Sequence, residues 1–155
     1  MTTERCIFGR IAAGEIPCQR VFENEHVLAF LDINPLSEGH TLVIPKRCVE
    51  RYEDLTPEEA GELARALAIV ARKVMKVTGA AGYNVLQNNG RVASQEVPHV
   101  HFHIIPRREG DGLAGAAAGD QEVDAFLDLP AHQLSERLDV HGPVRGSSAA
   151  MPSST

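Results

Sequence analysis

Three histidines, His99, His101 and His103, alternate with Val100, Phe102 and Ile104 in the run from Pro98 to Pro106. Alternation with period two marks a strand with one polar and one buried face. On such a strand the three imidazoles point the same way, ~6.5–7 Å from one to the next. Imidazole ionises near neutral pH and has a lone pair to offer when neutral. The row therefore suits nucleophilic attack, acid–base chemistry or metal binding. The plain alternative is a polar strand face of idle histidines.

The rest of the chain has to carry that strand. Residues 4–14 read as a short helix with Phe8 and Ile11 on one apolar face, stopped by Gly14 and Pro17. Arg20–Glu23 and His26–Leu31 flank Asn24-Glu25 as a hairpin. Turn residues make 34–39 a loop, and His40–Pro45 a third strand closed by proline. Thr56-Pro57-Glu58-Glu59 opens a long helix, with Thr56 as cap, Pro57 in the first turn and Glu59 completing a capping box. Leu63, Leu67, Val70, Val74 and Val77 supply its buried stripe, and Gly79 ends it. Tyr83–Gln87 is a fourth strand, Asn88-Asn89-Gly90 a turn, and the histidine strand follows over about 98–105. The expected fold class is α+β: an antiparallel sheet of about five strands, one long helix on a face and a short N-terminal helix. Residues 1–110 form the domain. Residues 111–142 read as a linker with a helical extension that Pro130 interrupts, and 143–155 as a disordered tail rich in Ser, Ala, Gly and Pro.

A chain of 155 residues with net charge −6 fits one domain and has no whole-molecule basic field to attract nucleic acid. A small anionic ligand remains compatible with local positive groups. Lys46, Arg47, Arg91, Arg107 and Arg108 all lie close in sequence to the suspected site. No apolar run approaches the ~20 residues of a membrane span, and the first residues lack the pattern of a signal peptide. Three widely spaced cysteines, Cys6, Cys18 and Cys48, argue against a disulfide framework, so the cytoplasm is the expected compartment.

His-Val-His-Phe-His-Ile-Ile (99–105) resembles the signature of the histidine-triad (HIT) superfamily, in which three histidines alternate with apolar residues. Cys6-Ile-Phe-Gly-Arg-Ile, Gly14-Glu-Ile-Pro17, Phe30-Leu-Asp-Ile33, Gly39-His-Thr-Leu-Val-Ile-Pro-Lys46 and Asn88-Asn-Gly90 resemble the family in the family's order, so the likeness spans about residues 5–110. It is strongest to the branch of histidine-triad nucleotide-binding proteins, which hydrolyse nucleoside phosphoramidates. The resemblance implies a hydrolase or transferase acting at the α-phosphate of a purine nucleotide, without a metal or other cofactor, through a nucleotidyl-histidine intermediate. A diadenosine polyphosphate hydrolase and a nucleotide-binding regulatory module are the alternatives within the fold. A metal-dependent hydrolase using His-x-His as ligands is the alternative outside it.

By position, the resemblance makes His101 the nucleophile and gives His103 the phosphate oxygens. It places His40 beside them in the pocket, and His99 as a brace for the ring of His101. Asn88 contacts phosphate or leaving group, and backbone N–H groups at Ser94, Gln95 and Glu96 bind developing charge. Asp32 accepts from ribose hydroxyls, while Phe8, Ile11, Ile33 and Leu42 enclose the base. A homodimer through the long helix and the strand after it is also implied.

Two departures matter. Glu96 stands where this branch usually carries Ser or Thr, so the carboxylate either turns outward, the favoured reading, or is protonated and serves as an acid. The Cys-x-x-Cys with which some bacterial relatives hold zinc is broken at Gly9, leaving Cys6, Cys48 and His99 as three ligands where structural zinc takes four. No metal is expected.

Overall fold

A computed structural model describes residues 6–113 of the chain. Two helices, α1 (Ile7–Ala12) and α2 (Pro57–Thr78), accompany five strands: β1 (Arg20–Glu23), β2 (Val27–Leu31), β3 (Thr41–Pro45), β4 (Gly82–Gln87) and β5 (Phe102–Arg107). The strands form one sheet in the order β1-β2-β3-β5-β4, antiparallel throughout. The α+β class and the five-strand count are as expected. The helical extension and tail expected after residue 110 lie, apart from 111–113, outside the described residues.

The sheet is covered on both sides, and the sequence shows why. β2 and β3 are apolar at nearly every position, so neither face of either strand can be left in water. Alternate residues then sort to two cores. Val27, Ala29, Val43 and Ile104 pack with Leu63, Ala66, Val70 and Val74 of α2. Leu28, Phe30, Leu42 and Ile44 pack with Phe8 and Ile11 of α1. Each fully buried Leu or Ile contributes ~1.5–3 kcal/mol to this two-sided burial.

Local chemistry sets the joints. The β1–β2 turn is held by Asn24, whose Oδ1 accepts the N–H groups of His26 (2.9 Å) and Val27 (2.7 Å). The start of α2 is the expected capping box: Thr56 Oγ1 accepts from Glu59 N, and Glu59 accepts from Thr56 N. Arg47 clamps the same Glu59, which holds that carboxyl at about 2. Gly79 ends the helix in the left-handed region at φ 60° and donates to Met75 O.

Three expectations are corrected. Val77 does not continue the stripe of α2; it is 85 % exposed, and Ala66 and Ala71 are buried instead. The stripe advances 70, 74, 78 at the helix's own pitch, which brings Thr78 rather than Val77 inward against Gly39. The first helix is shorter than 4–14, because Cys6 caps it by accepting from Gly9 N. The histidine strand begins at Phe102, not near 98. Ahead of it, Val100 N bonds to Val49 O and His99 N to Val97 O, so this stretch follows the loop after β3 instead of joining the ladder.

Gly39 opens the strand that carries the site. Its φ is +84°, and an added Cβ would lie 2.5 Å from Thr78 Cγ2. Gly39→Ala is expected to cost about 1–3 kcal/mol through strain and overpacking, read as a lowered urea midpoint. An unchanged midpoint would mean that Thr78 yields to the added methyl without cost.

Candidate active site

His101 lies just before β5, buried, with its ring edge-on to Phe8 at 5.1 Å between centroids. Its Nδ1 is 2.7 Å from the backbone oxygen of His99. A carbonyl only accepts, so Nδ1 carries the proton and Nε2 keeps its lone pair. The brace on this ring is therefore the main chain of residue 99, two residues away.

A second chain of hydrogen bonds settles His103. The N–H of Leu36 donates to His40 Nδ1 (3.1 Å), which puts the proton of His40 on Nε2. That Nε2–H donates to His103 Nδ1 at 2.9 Å, which puts the proton of His103 on its own Nε2. So His101 offers a lone pair and His103 offers an N–H, with ring centroids 5.0 Å apart. The three rings lie on the α1 side of the sheet, as strand alternation implies, but His101 and His103 are closer than a straight strand would set them. Burial pushes His40 below the ordinary imidazole range, against the opposing pull of Asp32, whose Oδ2 is 3.6 Å away. Burial, then the neighbouring His101 and His40, bring His103 down to about 4. Both rings are neutral at pH 7.

His99 does a different job. Its ring is fully buried, Nε2 donates to Pro45 O (2.8 Å), and Nδ1 accepts from the Cys6 thiol at 3.2 Å. Burial lowers its pKa as well. It ties α1, β3 and the segment before β5 together and does not line the cavity. Cys6, Cys48 and His99 bring three donor atoms within 4.8 Å of one another, one short of a tetrahedral set.

A cavity of about 950 Å³ opens on the α1 side of the sheet, and His40, His101 and His103 line it. Phe8, Ile11 and Leu42 form buried apolar wall, and Ile33 stands at the mouth, 92 % exposed. Asp32, Asn88, Ser94 and Glu96 add polar lining, with Gln19, Asn34 and Cys18 also at the wall. Asp32 Oδ1 accepts from Asn34 N (2.9 Å), which fixes the carboxylate at the end of β2. Ser94 takes φ 65°, the single non-glycine residue in the left-handed region among those described.

Two sequence expectations need correction. Gln95 does not line the cavity: it is buried, with Oε1 on Gly90 N and Nε2 on Glu50 O, so it pins the turn from below. The N–H groups of Ser94 and Gln95 are already given to Arg91 O and Gly90 O, which leaves that of Glu96 for an incoming oxygen. The basic residues also stay away. Lys46 pairs with Glu23, Arg47 with Glu59, Arg107 with Asp111 and Arg108 with Thr78 O, and neither these nor Arg91 line the cavity. Glu96 is exposed, as an outward carboxylate would be, yet it forms part of the cavity wall. Sequence reasoning missed Phe30 in the apolar wall and, behind the histidines, Leu36. The contribution of Leu36 is a backbone N–H, for which a sequence carries no signal.

The depressed histidines make stability depend on pH. Folding favours their neutral forms, so their contribution is complete above the unfolded value near 6.5 and is lost as pH falls from there toward about 4 for His103. The urea midpoint is expected to fall between pH 6.5 and 5, above the usual carboxylate range, with a limiting slope of about 1.4 kcal/mol per pH unit for each such histidine. A flat midpoint over that window would contradict the buried neutral rings.

Comparison with known proteins gives the family and the fold. The family profile described as HIT domain matches residues 13–110. An uncharacterized HIT-like protein of Methanocaldococcus jannaschii is 55 % identical over 107 residues, 69 % of this chain and 82 % of that one. An adenosine 5′-monophosphoramidase of Schizosaccharomyces pombe is 51 % identical over 102 residues, 66 % of this chain and 74 % of that one. A crystal structure of a HIT family member from Bacillus subtilis superposes with TM-score 0.75 at 40 % identity, covering 88 % of this chain and 94 % of that chain.

Proposed function

The chain belongs to the HIT domain family, and from that premise we propose that it hydrolyses purine nucleoside phosphoramidates, with His101 as nucleophile. The observation that carries this reading is the pair of opposed tautomers. Nδ1 of His101 is committed to His99 O, which leaves Nε2 as the attacking atom. His103 presents the complementary N–H, because His40 donates to its Nδ1.

The reaction runs in two displacements. His101 Nε2 forms a bond to the α-phosphorus, and the P–N bond to the amine breaks. The departing nitrogen takes its electron pair and one proton from solvent at the open mouth. His103 Nε2–H and the Glu96 N–H stabilise the phosphoryl oxygens as charge builds on them. Water then attacks phosphorus, the bond to Nε2 breaks and returns its electron pair to the ring, and a proton leaves to solvent. The products are a nucleoside monophosphate and a free amine. Asp32 accepts from the ribose hydroxyls, and Phe8, Ile11, Ile33 and Leu42 enclose the base.

The test is release of AMP from adenosine 5′-phosphoramidate with a chelator present, beside a diadenosine polyphosphate. Release from the phosphoramidate supports the reading. Release from the dinucleotide alone moves the protein to the polyphosphate reaction. No release from either leaves the nucleotide-binding module as the better account.

A homodimer is part of the proposal. β4 is an edge strand with Tyr83 and Val85 exposed, a pairing-prone surface, and Val77 of α2 is exposed as well. Sedimentation is expected to give about twice the 16.8 kDa chain mass; a single-chain mass would refute it.

A further inference from the structure

The charges around the cavity favour one class of leaving group. Among the described residues no lysine or arginine lines it, whereas two carboxylates, Asp32 and Glu96, do. The histidines do not offset them, because burial holds His40 and His103 neutral. A bound phosphate therefore meets neutral donors only. One negative charge can be held that way. A chain of further phosphates would run without a cation to meet it.

The two carboxylates also stand at opposite ends of the site. Asp32 follows β2, His40 precedes β3, His103 is on β5 and Asn88 follows β4, so these four cross the sheet in strand order. Three strand spacings separate β2 from β4, about 14–15 Å. The apolar wall of Phe30, Leu42 and Ile33 lies on the Asp32 side. A base held there places the phosphorus at the histidines. The leaving group then points over Asn88 and Ser94 toward Glu96. That carboxylate is exposed, and no ion pair takes it up among the described residues.

We propose that Glu96 selects nucleoside phosphoramidates whose leaving amine carries a second, positively charged group, such as diamines bearing one nucleotidyl group, and disfavours anionic leaving groups, including polyphosphates. This rests on the hydrolase reading given above. Attraction between an exposed carboxylate and an ammonium is modest and screened by salt, so the expected preference is a few-fold.

Three AMP phosphoramidates of equal chain length test it, made from 1,6-diaminohexane, hexylamine and 6-aminohexanoate. The departing nitrogen is similar in all three, and only the far end changes from cation to neutral group to anion. AMP release gives kcat/KM for each with the full chain and with Glu96→Gln. The diamine is expected to exceed hexylamine by about 2- to 5-fold, and hexylamine to exceed aminohexanoate by a similar factor. Both ratios should approach one in Glu96→Gln and in 1 M salt, the salt arm needing no variant. Equal rates on all three, or ratios that persist in Glu96→Gln, overturn the proposal while leaving the hydrolase reading intact. No AMP from any of them, nor from the simple phosphoramidate, overturns the hydrolase reading and this proposal with it.

Discussion

His101→Ala is expected to lower phosphoramidate turnover by about 10⁴-fold or more while nucleotide affinity changes only a few-fold. The separation follows from the site. His101 Nε2 is the one lone pair the tautomers leave for the phosphorus, since Nε2 of His103 carries a proton and both nitrogens of His99 are engaged. Neither of the other two triad histidines can take over the attack. Binding does not depend on that atom, because the apolar wall, Asp32 and the His103 donor remain. A second signature belongs to the same mechanism. If turnover passes through a nucleotidyl-histidine, enzyme quenched in alkaline denaturant, where a P–N bond survives, holds label from the nucleotide, and His101→Ala holds none. Turnover within tenfold of the unchanged chain would remove His101 from the nucleophile's role.

His103→Ala is the second large effect, expected at about 10²–10³-fold in turnover, roughly 2.7–4 kcal/mol, the usual loss when one preorganised donor to a developing charge is removed. His40 acts one step behind it as a positioning residue. His40→Phe leaves His103 Nδ1 without its donor, so the imidazole can place its proton on the wrong nitrogen. The expected loss is smaller, on the order of 10-fold. His40→Gln should recover part of it, since an amide N–H near the former Nε2 can still donate to His103. Equal losses in His40→Phe and His40→Gln would mean that His40 serves only as packing. The neutral state of both rings is part of the argument. With His103 at about 4, mild acid does not convert it to a cation, so the donor role is held by geometry and not by charge.

The sequence alone went far toward the fold, because the signals were local. Thr56-Pro57-Glu58-Glu59 carries its own capping chemistry, Asn24 its own turn, and the alternation from Val100 to Ile104 its own face assignment. The errors came where the neighbour decided. Val77 has the right residue type for the stripe, but the pitch of α2 against Gly39 brings Thr78 inward. The strand near residue 98 was too long because Val49 takes the N–H of Val100.

At the site, spacing gave the row of histidines, and the resemblance to the family's motifs added His40, Asp32, Asn88 and the apolar wall; of these, His40, His101, His103, Asp32, Asn88 and the wall residues line one cavity. Spacing could not separate the three histidines by task, since on a strand they are equivalent. Tertiary structure divided them through partners far along the chain. Pro45 O lies 54 residues from His99, and His40 lies 63 residues from His103. It also decided the charge of the cavity. Lys46, Arg47, Arg107 and Arg108 are near the site in sequence, but each is drawn to an acidic or carbonyl partner elsewhere. A sequence records which groups can ionise or donate. Which nitrogen holds a proton, and which cation faces a ligand, depends on burial and on hydrogen-bond partners that only the folded chain brings within reach.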